Sequence, residues 1–227
     1  MKINYQNINL NLKNILISAE LIFKNKSPIR IFHNIFLNNI YINNKILDLG
    51  SGNHSSYLNF IKKNNIDIFF SDKNFKEDKN FIQVDLEKNI NIKDLSFDNI
   101  LLFNVLEHIQ NYQNLINEIY RILNNGGKLE LFVPFMHRFH KDPNDYFRPT
   151  HEYLQKIFIN SGFKDIEINI IGPGPFAVIS EILHQYFKFR AIKLLFFFIF
   201  ILLNKIIKIF SKDYYTFYAG IHCTCKK

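Results

Sequence analysis

Four short apolar runs in the first half of the chain each end on a polar residue. Asp48 closes "KILDLG", Asp72 closes "IDIFFSD", Asp85 closes "FIQVD" and Asn104 closes "FDNILLFN". Gly50 and Gly52 follow Asp48 directly, and Leu86 follows Asp85. Strand ends at the rim of an open parallel sheet are where such folds take ligands, and a turn lacking side chains lets a ligand reach the backbone. Three carboxylates on one rim repel each other unless a ligand satisfies them. A molecule carrying a cationic amine and a ribose diol would do so.

A second concentration of reactive groups lies in "PFMHRFHKDPNDYFRPT", residues 134–150. His137, His140, Asp142, Asp145, Tyr146 and Arg148 crowd a connection that follows an apolar run, so they belong to the same rim. Imidazoles titrate near neutrality and suit proton transfer. His137 and His140 are therefore candidate bases, joined by His108 in "VLEHI". For His108 a helix-start residue satisfied by backbone is an equal reading. Asp145, Tyr146 and Arg148 form a candidate substrate wall, although Asp145 and Arg148 could instead pair to hold the loop's shape.

The elements that must position these residues follow from periodicity. "KILDLG", "IDIFFSD", "FIQVD", "FDNILLFN", "KLELFVPF", "KDIEINII" and "YYTFYAGIHCTC" read as seven strands. Helical patterns lie at 12–24, at "SPIRIFHNIFLNN", at "NLINEIYRILNNGG" with a stop at Gly126-Gly127, and at "THEYLQKIFINSGF". Strands alternating with helices predict an α/β, Rossmann-like, doubly wound, mainly parallel sheet with helices on both faces. One domain is expected: a helical cap over 1–43, a core over 44–171, a helical insertion over 172–212 and a last strand over 213–227.

The whole set resembles the class I S-adenosylmethionine-dependent methyltransferases, of the type 11-like kind, over 40–171 and again 214–225. "LDLGSGNH" matches the D-x-G-x-G-x-G loop through Asp48, Gly50 and Gly52, with His54 in place of the third glycine. The resemblance implies S-adenosylmethionine as cofactor. It assigns Asp48 to the methionine amine, Asp72 to the ribose hydroxyls, Asp85 and Leu86 to the adenine edge, and Asn104 and Leu106 to the neighbourhood of the cofactor. A dinucleotide fold is the rival, with Ser55 as the small residue of G-x-G-x-x-G. Asp48 argues against it, because that fingerprint wants a buried apolar residue there. The pattern H-x-D-P-x-D-Y-x-R-x-T resembles one found in bacterial methyltransferases associated with surface polysaccharide assembly. It implies a sugar or a lipid- or nucleotide-linked sugar as acceptor. A quinone-type lipid acceptor and a scaffold that has lost turnover are the alternatives.

Charge and composition limit the partners. The formal net charge of +8 could serve nucleic acid, but the lysines are scattered and "NVLEH" is not an N/D-P-P-Y/F motif, so no nucleic acid is expected. Cys223 and Cys225 alternate in a strand without histidine partners nearby, so no metal is expected from them. The N-terminus lacks a signal pattern, which points to the cytoplasm. "LLFFFIFILLNKIIKIF" is nearly long enough to span a bilayer, yet lysines bracket and interrupt it. A following strand that must rejoin the sheet also forbids a single crossing. Phenylalanines on one side and lysines on the other predict, for 191–210, attachment to the inner face of the membrane, pairing with a second copy, or burial in the core.

Overall fold

The computed structural model describes residues 2–52, 56–74 and 78–227. His54, at the third-glycine position of the loop, and Ser55 lie outside the described residues. A single sheet of eight strands organises the chain, in the order β1 (Lys2–Gln6), β7 (Lys164–Pro173), β8 (Tyr218–Lys226), β6 (Leu123–Pro134), β5 (Phe97–Phe103), β2 (Tyr41–Leu49), β3 (Lys62–Asp72), β4 (Phe81–Gln83). Pairings are parallel except those of β8, which runs antiparallel to both β6 and β7. The chain winds from β2 to β4 in one direction and resumes at β5 on the other side of β2. The strand order therefore reverses between β2 and β5, and Asp48 and Asn104 stand on the two sides of that switch point.

Helices cover both faces. On one, α3 (Tyr112–Ile122) and α4 (His151–Asn160) pack a core that includes Leu115, Ile116, Ile119 and Ile122, all fully buried. Side chains of that kind contribute about 1.5–3 kcal/mol each by area, which fixes α3 against β5 and β6. On the other face lie α1 (Leu12–Phe23), α2 (Pro28–Leu37), α5 (Pro175–His184) and α6 (Arg190–Phe210). Asn11 caps α1 through the backbone N–H of Asn14, and Thr150 caps α4 through that of Tyr153.

Three expectations need correction. The sheet has eight strands rather than seven, because Lys2–Gln6, expected within a helical cap, forms edge strand β1 on β7. Its sequence is mostly polar, and its hold on the sheet includes side-chain amides: Asn4 donates to Glu167 (2.6 Å) and Gln6 to Asn169 (2.6 Å). Helix α3 ends at Ile122, and Gly126-Gly127 lie inside β6 instead of stopping the helix. A Cβ at Gly127 would sit 2.8 Å from the Asn124 carbonyl oxygen, so that glycine serves a tight passage in the strand. The phenylalanines in the middle of α6 face inward, although Phe210 at its end is exposed. Phe197, Phe200 and Ile201 are buried, and so is Lys193, which donates to Asn25 (2.7 Å). No helix among the described residues is long and apolar enough to cross a membrane.

Candidate functional site

Asp48 ends β2 inside the core, with no solvent exposure. The Tyr57 hydroxyl, in a short 3-10 turn at Ser56–Asn59, lies 2.7 and 2.6 Å from its two carboxylate oxygens and donates to them. Gly50 and Gly52 both adopt left-handed backbone, φ 68° and 54°. A Cβ on Gly50 would fall 2.8 Å from Val105 and 3.6 Å from Leu86, while one on Gly52 would stand 3.9 Å from Asp72 among the described residues. The turn thus packs tightly against the start of the β5 loop and faces the end of β3. Asp72 also accepts from the backbone N–H of Asn74 at 3.0 Å. Asp85 faces Lys73 (3.4 Å) and Lys88 (3.7 Å) and accepts from the Glu87 backbone. Although desolvation raises the Asp85 pKa, hydrogen bonds and the two lysines leave it below the ordinary carboxylate value.

These features fit S-adenosylmethionine. A buried acidic group, a turn that excludes side chains and an acidic residue across that turn provide the acceptors and the room that an amine and a diol require. Leu106, expected beside the cofactor, is fully buried in the core, and Val105 is the residue that touches the turn. Asn104 takes φ 55°, a conformation uncommon outside glycine and tolerated best by Asn and Asp. Its backbone N–H bonds to Phe132, and Asn104 lines a large cavity.

That cavity, about 770 Å³, lies between the ends of β5 and β6, the start of α2 and the α5–α6 pair. His137 and His140 line it, as do Arg30, Arg138, Glu181, His184 and Lys193. The His137 Nδ1 is 2.8 Å from the Glu181 carboxylate, whose other oxygen accepts from the Ile29 backbone N–H at 2.7 Å. Glu181 escaped the sequence reading; its partner lies far along the chain, and no local motif marks it. The His140 Nδ1 bonds the Arg138 carbonyl (3.2 Å), and burial is the largest cause lowering its pKa, ahead of the neighbouring His137 and His108.

The expected substrate wall is arranged differently. Asp145 and Arg148 form a two-pronged ion pair, and Asp145 also accepts from the His140 backbone N–H at 2.8 Å. Arg148 holds the Asp145 carboxyl down at about 2. The pair shapes the loop and does not line the cavity. Tyr146 is exposed on the outside, its backbone N–H bonded to the Glu107 carbonyl. His108, just behind this loop, hydrogen-bonds through Nδ1 to the Asn144 carbonyl.

Comparisons with known proteins agree with this architecture. Over 106 residues the chain is 39% identical to an uncharacterized protein of Methanocaldococcus jannaschii, a match covering 42% of this chain and 46% of that protein. The chain thus spans less than half the length of that relative. The crystal structure of a SAM-dependent methyltransferase from Archaeoglobus fulgidus superposes with a TM-score of 0.54 at 16% identity, covering 92% of this chain and 94% of that one. The [4+2]-cyclase SpnF superposes with a TM-score of 0.55 at 15% identity, over 88% and 81% of the two chains. At such identities the likeness shows the fold alone. Residues 17–167 match the family model described as a methyltransferase domain, well over half the chain, so the protein belongs to that methyltransferase family, with S-adenosylmethionine as its cofactor.

Proposed function

We propose that the protein methylates a hydroxyl of a small phosphate-bearing acceptor, a nucleotide- or lipid-linked sugar, with His137 as the base. The observation that carries this reading is the cavity at the ends of β5 and β6, which Asn104 lines from the strand-switch point. Its volume of about 770 Å³ suits a ligand of this size. Lys26, Arg30, Arg138 and Lys193 in its wall outnumber the single carboxylate of Glu181, which favours an anionic occupant.

When bound, the cofactor supplies a methyl group already activated on a cationic sulfur. Asp48 would hold its amine, Asp72 its ribose and Asp85 its adenine edge, with Leu86 and Val105 as the apolar floor. The remaining task is alignment and removal of the acceptor's proton. Glu181 fixes the proton of His137 on Nδ1 and leaves Nε2 free to accept one. The Ile29 N–H holds the second Glu181 oxygen, so the imidazole is oriented from behind as a base requires. His140, with its lowered pKa, is neutral at physiological pH and suits the cavity wall beside it.

Calorimetry with S-adenosylmethionine and turnover with nucleotide sugars and polyprenyl-phosphate sugars test the reading. Asp72→Ala should weaken the cofactor by about 1–3 kcal/mol through lost charged hydrogen bonds. His137→Gln should lower kcat with cofactor affinity unchanged. The SpnF likeness makes the second test necessary, since the fold also serves other chemistry. Cofactor binding without methylation of any acceptor would favour the scaffold reading.

A specific observation also favours attachment at an anionic membrane surface on the cytoplasmic side. Ile192, Leu195, Ile199, Leu202, Ile206 and Ile209 are exposed along one stripe of α6 at alternating three- and four-residue spacing. Lys188, Arg190, Lys205, Lys208 and Lys212 surround it, so the charge complements anionic headgroups. The stripe begins at Ile192, adjacent in sequence to Lys193 of the cavity wall, which suits a lipid-linked acceptor. Replacing Leu195, Leu202 and Ile206 with Ser should release the protein from phosphatidylserine vesicles. A homodimer that dissociates in the same variant, with no vesicle binding by the parent protein, would transfer the stripe to a subunit interface.

A further inference from the structure

Glu107 is the most anomalous residue at the rim. It has no solvent exposure, and neither carboxylate oxygen has a hydrogen-bond partner among the described residues. Leaving such a group unsatisfied costs several kcal/mol unless it is neutral or meets a cation. Two histidines stand beside it. The His108 Nε2 lies 3.7 Å from Glu107 Oε1, and one ligand atom each from Glu107, His108 and His140 fall within 4.8 Å of one another.

We propose that Glu107, His108 and His140 form a divalent-metal site at the cavity wall, with Zn²⁺ as its natural probe. The donor set is two imidazoles and one carboxylate, the composition of catalytic zinc sites that keep a fourth position open. Ligand atoms around one such ion stand about 3–3.5 Å apart at bond lengths of about 2.0–2.2 Å, so only small side-chain adjustments are needed to close the set. Each histidine is prepared from behind. His108 gives its Nδ1 proton to the Asn144 carbonyl, and the His140 Nδ1 faces the Arg138 carbonyl, which leaves Nε2 of each ring as the lone pair. Metal-bound histidines are oriented in this way by outer partners.

The charges around Glu107 do not supply the missing cation. Arg148 is committed to Asp145, His108 to Asn144, and Arg30 acts only at a distance, after Arg148 and Asp145. Burial accordingly pushes the Glu107 carboxyl up to about 8 in the metal-free protein. His140 also lines the cavity, so an ion held here stands at the acceptor's side of the site. On the methyl-transfer reading above, its open position would bind the acceptor hydroxyl and lower that hydroxyl's pKa.

The test is titration of chelator-treated protein with ZnCl₂, followed by calorimetry and by the visible absorption of a Co²⁺ form. Neither cofactor nor acceptor is present, so the outcome is independent of methyl transfer. One equivalent should bind. Glu107→Gln and His140→Ala should each weaken Zn²⁺ by 100-fold or more, while His137→Ala leaves affinity within threefold. Absence of stoichiometric binding overturns the site, as does equal affinity in the parent and in His140→Ala. If Glu107→Gln does not fold, His140→Ala, at a half-buried loop position, carries the test alone.

Discussion

Replacing Glu107 with glutamine should stabilise the metal-free protein, and by an amount that grows with pH. The carboxyl rises from 4.5 in the unfolded chain to about 8 in the fold. Between those values the unfolded chain releases a proton that the folded protein retains, so unfolding is favoured as pH climbs. At pH 7 the gap above the unfolded value is 2.5 units, and at 1.36 kcal/mol per unit the penalty is about 3 kcal/mol. Glutamine resembles the protonated acid in size and leaves a similar neutral group unpartnered, so it removes the pH-dependent part alone. Urea unfolding in the presence of a chelator at pH 5, 7 and 8 measures the difference. The two proteins should nearly coincide at pH 5 and separate by about 3 kcal/mol at pH 7, or about 6–12 °C in Tm for a chain of this size. Zn²⁺ should stabilise the parent more than the variant, because the parent binds it 100-fold or more tightly. Parallel stability curves across this pH range would refute the account of Glu107 as a buried carboxyl without a partner.

Other perturbations separate turn, core and surface. Gly50→Ala should abolish measurable cofactor binding, because a Cβ there would lie 2.8 Å from Val105 on a left-handed backbone; unchanged affinity by calorimetry would refute the tight packing. His33 is buried against Phe132 and hydrogen-bonded to His222, and desolvation, aided by His222, lowers its pKa well below the ordinary value. The unfolded chain takes up a proton below about pH 6.5 that the fold refuses, so stability falls as pH drops through that value. His33→Gln should make that fall shallower by up to about 1.4 kcal/mol per pH unit, read by urea unfolding at pH 5 and 6.5. In the Tyr57→Phe variant Asp48 loses a hydroxyl donor, and stability at pH 7 should drop by about 1–3 kcal/mol.

The centre of the parallel core was legible because the end of β2 and nearly all of β5 are buried on both faces, which writes them as apolar runs ending on Asp48 and Asn104. Strand β1 was not, since an edge held by Asn4 and Gln6 amides carries no apolar alternation. The glycine pair at 126–127 misled because a strand entry and a helix stop use the same residues. Asp145 and Arg148 pair across one turn of loop, the alternative to a substrate wall that their spacing already offered. The Glu181 partner of His137 arises only when α5, packed on β7 and β8, meets the loop that follows β6, a contact that spacing along the chain does not encode. Glu107 did leave a trace: a carboxylate between Leu106 and Ile109 in "VLEHI" is set in an apolar context that no surface residue needs.

The position of β8 has a consequence for how the chain reaches this structure. β6 and β7 never pair with each other, since β8 runs between them and is made after both, and after α5 and α6 as well. Until it inserts, Leu129, Leu131 and Val133 of β6 stand on an open strand edge, and the apolar inner face of α6 lacks the sheet surface completed by Ala219. Unpaired edges and uncovered apolar helices are the species that aggregate during folding. Closure requires a long-range antiparallel insertion on both sides at once, a slow kind of step. Yield in a host cell should therefore depend on temperature and chaperone supply more steeply than on the stability of the finished protein.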